Sequence, residues 1–90
     1  MFSKMAFLIK FTTKATRFIK KLDNVNKERI KEKINKLSKN PFPSEAVRVE
    51  SYKEYKVFRV RIGDYRILYN VDFKEKLIII IKIDKRGKVY

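Results

Sequence analysis

The stretch VFRVRIGDYRILY, residues 57–69, constrains the fold of this chain more than any other segment. Its first half alternates. Phe58, Val60 and Ile62 fall on one side of an extended strand, and Val57, Arg59 and Arg61 fall on the other. YRILYNV repeats the pattern, with Tyr65, Ile67, Tyr69 and Val71 on one side and Arg66, Leu68 and Asn70 on the other. Gly63-Asp64 stands between the two runs. Glycine first in a two-residue loop predicts a type II′ turn, whose backbone twist matches that of its flanking strands. So short a loop also sets the register: Ile62 faces Tyr65, Arg61 faces Arg66, Val60 faces Ile67 and Arg59 faces Leu68. A slip of one residue would turn the whole apolar set to water. The apolar residues therefore share one face, and Arg59, Arg61 and Arg66 share the other. Like charges directly opposite each other destabilise a sheet by up to about 1 kcal/mol. A sheet with Arg61 opposite Arg66 is explained better by a polyanionic ligand than by packing. The plainer alternative is a solvated cationic face.

The charge balance leads the same way. The chain carries 24 Lys and Arg against 10 Asp and Glu, a net charge of +14. That excess fits a nucleic acid, an acidic membrane surface or an acidic protein as partner. With 90 residues, 44% of them hydrophobic, the chain reads as one globular domain, 1–90, with a small core. The longest apolar run, Leu77 to Ile81, has strand length, far short of a membrane span. The opening MFSKMAFLIKF has too short an apolar core for a secretory signal, and the expected location is cytoplasmic.

The remaining elements follow from periodicity. Ala6 to Phe11 reads as a first strand. Thr12 and Thr13 are N-cap candidates, and Ala15, Phe18, Ile19 and Leu22 form one apolar helical face. A second helix is expected from Asn24 or Asn26 to about Lys39, with Ile30, Ile34 and Leu37 inward and an i,i+4 pair between Glu32 and Lys36. Pro41 and Pro43 stop it. Val47 to Val49 reads as a short strand, followed by a polar loop from Glu50 to Lys56. After the hairpin, a turn at 73–76 leads into LIIIIKI, residues 77–83. That run hardly alternates, which predicts a central strand covered on both faces or nearly so. The order β-α-α-β-β-β-β predicts an α+β fold, a helical hairpin packed on a small, mainly antiparallel sheet.

The chemistry open to such a chain is narrow. It has no cysteine and no histidine, which excludes disulfides, thiolate metal sites, Ser-His-Asp triads and His-based ribonuclease mechanisms. Its carboxylates are scattered, with Asp64 in a turn, Asp72 at a strand end and Asp84 just past another. None is paired as a two-metal site or an acid–base dyad requires, so no metal and no cofactor is expected. Arg, Lys and Tyr remain. They suffice to cleave RNA by attack of a 2′-OH on the adjacent phosphate. Arginines bind the phosphate bidentately and stabilise the charge of the transition state. A tyrosine or lysine among cations has its pKa lowered and can move the protons. Tyr90, four residues beyond Arg86, is the leading candidate for that role, with Lys56 and Lys88 behind it. Tyr65 and Tyr69 read as core.

Three segments carry a resemblance. They are AFLIKFTTKATRFIKKL near the start, the pattern Y-x-x-x-R-x-R-I-G-D-Y-R-I-L-Y over residues 55–69, and the terminal K-R-G-K-V-Y. Over nearly its whole length the chain resembles the RelE toxins of the RelE/ParE superfamily, and R-x-R-x-G-D-Y-R with the terminal R-G-K-V-Y is most similar to archaeal members. The resemblance implies a RelE-like toxin domain that cuts mRNA in the ribosomal A site without a metal. It implies that Arg66 contacts the scissile phosphate, that Arg86 stabilises the transition state and that Tyr90 stacks on or deprotonates the substrate nucleotide. Arg59, Arg61, Lys56 and Lys88 are the expected substrate-binding residues.

The chain departs from the bacterial pattern at Arg59 and Arg61, where those relatives carry paired lysines. Arginine does not serve as a base, its pKa lying above about 12, so Tyr90 or Lys56 must take more of the proton transfer. The resemblance also implies a RelB-like antitoxin, the ribosome and mRNA as partners, and no membrane. Two other readings stay open at this point: a ParE-like toxin that binds a topoisomerase without chemistry, and a plain RNA-binding domain.

Overall fold

The computed structural model describes residues 6–49 and 56–85. Its elements are β1 (Leu8–Phe11), α1 (Thr13–Lys20), α2 (Asn24–Lys39), β2 (Val47–Arg48), β3 (Val57–Ile62), β4 (Tyr65–Asp72) and β5 (Leu77–Lys85). The five strands form one sheet in the order β1-β5-β4-β3-β2. All neighbours are antiparallel except β1 and β5, which run parallel. This is the expected α+β arrangement.

Each helix starts where a side chain can satisfy its free N–H groups. Thr12 caps α1, its Oγ1 accepting from the Ala15 N–H at 3.1 Å. Asp23 caps α2 in the same way, accepting from the Asn26 N–H at 3.3 Å. α2 thus begins at Asn24, the earlier of the two expected starts. Beyond Lys39 the chain leaves helical geometry at Asn40, before Pro41.

Both helices lie on one face of the sheet, α1 over β5 and β1, and α2 over β3. Ala15, Ile30, Ile34 and Leu37 meet Val60, Tyr65, Ile67, Tyr69, Val71, Ile78, Ile80 and Ile83 in a single core cluster. Burying a side chain of this size contributes roughly 1.5–3 kcal/mol, so these residues supply most of the driving force for the fold. The Tyr69 hydroxyl sits inside the core and donates to the Pro41 carbonyl at 2.6 Å. Phe7, where the chain enters β1, donates its N–H to the Ser38 carbonyl at the end of α2, at 2.8 Å.

Two expectations need correction. β5 is an inner strand, but β4 is the middle one. β5 is buried mainly on its helix side, through Ile78, Ile80 and Ile83, while Leu77, Ile79 and Ile81 remain partly exposed. Burial alternates regularly from Leu77 to Ile80, and a bulge then shifts the phase. Tyr69 pairs with Ile80 and Leu68 pairs with Lys82, which leaves Ile81 without a partner. The extra residue moves the inward series from 78 and 80 to 83. The expected Glu32–Lys36 ion pair is also not formed. Both residues are exposed, and such pairs contribute little in water. Lys33 instead pairs with Glu45, outside the helix.

Candidate functional site

The hairpin turn is built as its sequence requires. Gly63 has φ +58°, and Asp64 keeps a negative φ, the combination of a type II′ turn. The register follows: Ile62 pairs with Tyr65, Arg61 with Arg66, Val60 with Ile67 and Arg59 with Leu68. With Val60 and Ile67 under the helices, alternation puts Arg59, Arg61 and Arg66 on the opposite face of the sheet.

β5 completes that face. Across the sheet, Arg61, Arg66 and Asp84 form one row of cross-strand partners. Val47, Arg59, Leu68 and Lys82 form the next row. Four cations therefore share this face, and two of them meet the Asp84 carboxylate. Arg66 Nε donates to Asp84 Oδ1 at 3.3 Å, and Lys82 Nζ lies 3.5 Å from Asp84 Oδ2. Arg66 is held by its Nε, and among the described residues its terminal nitrogens make no hydrogen bond, which suits bidentate binding of a phosphate. The Arg66, Asp84 and Lys82 side chains are 36%, 34% and 42% exposed, open enough to receive a ligand. Beside β3, Arg59 and Arg61 border an open cavity of about 340 Å³ with Glu45 and Val47. The hydrogen bond from Lys33 holds the Glu45 carboxyl below the ordinary carboxylate range.

Lys82 and Asp84 were not readable as members of this face. The expected strand ended at Ile83, with Asp84 beyond it, whereas β5 runs to Lys85. The bulge at Ile81 then keeps Lys82 and Asp84 out of the core, where Ile83 takes the inward position. The lysine within an otherwise apolar run was the available signal, because a buried lysine at an inward position would be costly. Arg29 of α2 was missed as well. Its guanidinium lies over Gly63, with Nη2 2.7 Å from where a Cβ would stand.

Arg59, Arg61 and Arg66 are thus brought together. Lys56 stands apart, preceding β3 by one residue and five residues before Arg61, about 17 Å along an extended strand. Its carbonyl accepts from the Val71 N–H and from Asn70 Nδ2. Arg86, Lys88 and Tyr90 lie outside the described residues. The strand that precedes them does run beside β4, with Lys85 opposite Tyr65. Tyr65 and Tyr69 are core residues, as expected.

Known proteins share this architecture. The family model described as ParE toxin of type II toxin-antitoxin system, parDE, matches residues 9–90. "Putative toxin RelE1" of Methanocaldococcus jannaschii is 34% identical over 87 residues, which span 96% of this chain and 97% of that one. A chain of the archaeal RelE-RelB complex from Pyrococcus horikoshii OT3 superposes with a TM-score of 0.81 at 28% identity, covering 94% of this chain and 100% of the other. A chain of the toxin-antitoxin complex RelBE2 from Mycobacterium tuberculosis gives 0.79 at 25% identity, with 96% and 98% covered. Two of these three relatives are archaeal, in line with the hairpin and terminal motifs. With a family match spanning nine-tenths of the sequence and a relative aligned over nearly all of it, this protein belongs to the RelE/ParE family of toxins from type II toxin–antitoxin systems.

Proposed function

We propose that the toxin is a ribosome-dependent mRNA endonuclease that cuts in the A site and so halts translation. The observation that carries this reading is the row Arg61, Arg66 and Asp84 on the open face, with Arg66 held to Asp84 through its Nε. In this reading the 2′-oxygen of one nucleotide attacks the adjacent phosphorus as its proton passes to a base. The bond to the 5′-oxygen of the next nucleotide breaks, and that oxygen takes a proton. The products are a 2′,3′-cyclic phosphate and a 5′-hydroxyl.

Arg66 binds the scissile phosphate, Arg86 stabilises the charge that builds on it, and Tyr90 moves the proton at the 2′-oxygen. Arg59, Arg61 and Lys88 hold the flanking strand. Lys56 is too far from Arg61 to share the same phosphate. The net charge of +14 suits a site on the ribosome, where RNA surrounds the protein. Two of the relatives were solved as complexes with an antitoxin, which supports a RelB-like antitoxin as this chain's neutralising partner.

Primer extension on mRNA from a cell-free translation reaction tests the reading. The reaction is run with wild type, Arg66→Ala, Arg86→Ala and Tyr90→Phe, with and without ribosomes. Cuts that need ribosomes, and that fall about 100-fold or more with Arg66→Ala or Arg86→Ala, are the expected result. No cuts by folded wild-type protein would sink the nuclease. The ParE name of the matching family model keeps one rival in view, a toxin that binds a topoisomerase without chemistry. It predicts that Arg86→Gln and Tyr90→Phe leave growth inhibition intact.

A further inference from the structure

α1 carries a second set of cations that the arginine face does not include. Lys14, Arg17 and Lys21 recur at i, i+3 and i+7, which aligns them along one side of the helix. That side borders the part of β5 beyond Ile80, where the pairing with β1 has ended. Between them runs an open groove of about 420 Å³, lined by Lys14, Arg17, Lys21 and Lys82 with Phe18 and Ile83 as its apolar floor. Among the described residues no carboxylate lines it, and Lys14, Arg17 and Lys21 make no ion pair. α1 also has no acidic residue in its first turn to offset them. Lys82 joins the two basic regions: it lines this groove, and its ammonium shares the Asp84 carboxylate with Arg66.

We propose that the groove between α1 and the C-terminal half of β5 is a second RNA subsite. It takes the phosphodiester backbone of the strand that flanks the nucleotides on the arginine face; that this strand is RNA rests on the function proposed above. The subsite is backbone-directed: cations dominate its lining, and Phe18, the one ring among the described lining residues, packs T-shaped with Tyr65 at 5.9 Å. RNA leaving the arginine face passes Lys82 and continues along Lys14, Arg17 and Lys21.

The test uses the full chain and fluorescent single-stranded RNA of about 12 and about 4 nucleotides, lengths that bracket one binding surface. Affinity is read by anisotropy across a salt series. One variant combines Lys14→Gln, Arg17→Gln and Lys21→Gln. A control removes the same charge elsewhere, with Lys31→Gln, Lys39→Gln and Lys74→Gln. All six positions are exposed, and circular dichroism checks that both variants fold. The groove variant should bind the longer RNA at least about tenfold more weakly at low salt, and its salt slope should fall by about 2, near 0.7 for each phosphate that is no longer neutralised. The shorter RNA and the control variant should show neither change. Equal losses in the two variants, equal losses on the two RNAs, or no RNA binding by wild type would overturn the proposal. So would a groove variant that binds RNA normally but fails to bind an acidic antitoxin. Binding is read without cleavage, so a chain that shows this pattern and cuts nothing would keep the subsite and lose the nuclease.

Discussion

Replacing Tyr69 by phenylalanine tests the core and its titration together. Tyr69 is 0% exposed, and its hydroxyl donates at 2.6 Å to the carbonyl of Pro41, itself buried. Phenylalanine keeps the ring, its burial and the tilted packing on Phe58 at 5.9 Å. It removes the donor and strands the Pro41 carbonyl out of water. A buried polar group left without its partner costs about 1–3 kcal/mol, and with the ring packing intact the loss should lie near 1.5 kcal/mol. Urea denaturation at pH 7 measures it, with the slope unchanged because the same surface is exposed on unfolding. The pH dependence supplies a second arm. Burial, with the Glu45 charge as a lesser cause, pushes the Tyr69 pKa above its ordinary value. The folded chain then keeps a proton that the unfolded chain releases. The stability this brings is whole below the unfolded value of about 10, and falls by about 1.4 kcal/mol for each unit above it until the folded group titrates. Phenylalanine has no proton to lose. The gap between wild type and variant should therefore close near pH 11. A gap under about 0.3 kcal/mol at pH 7, or one that stays constant to pH 11, would refute the reasoning, since a lost hydrogen bond of this kind is worth about 1 kcal/mol or more.

Two further substitutions test the turn and the bulge. Gly63→Ala places a side chain at φ +58° and should lose about 1–2 kcal/mol in the same denaturation assay. Adding Arg29→Ala should recover little, because the atoms it crowds are the far end of a flexible, exposed side chain. Thr12→Ala removes both the α1 cap and the 2.8 Å hydrogen bond from Oγ1 to the bulge carbonyl of Ile81. It should cost about 1–2 kcal/mol, and Thr12→Ser should restore most of it; equal losses for both would assign the effect to the methyl group.

Much of the fold was legible because its signals are local. Gly63-Asp64 between two alternating runs set the hairpin register, since a two-residue loop leaves the strands no freedom to slip. Ile30, Ile34 and Leu37 marked the buried side of α2, since helical spacing and burial coincide there. Arg59, Arg61 and Arg66 were recognisable as one face for the same reason: the turn fixes which residues oppose each other.

What the sequence by itself determined, then, is the set of elements, the pairing of β3 with β4 and the cationic character of one face. The tertiary structure decided which strand lies on the other side of β4 and in what register. That register depends on a bulge at Ile81, and a bulge is chosen by the packing of Ile78, Ile80 and Ile83 against helices distant in sequence. A single extra residue reverses which side of the sheet the following residues meet. It brings Asp84 to Arg66 and Lys82 to the edge of the α1 groove, pairings between residues 18 positions apart in one case and some 60–70 in the other. No local pattern encodes such pairings, because their free energy exists only once the sheet has closed against both helices.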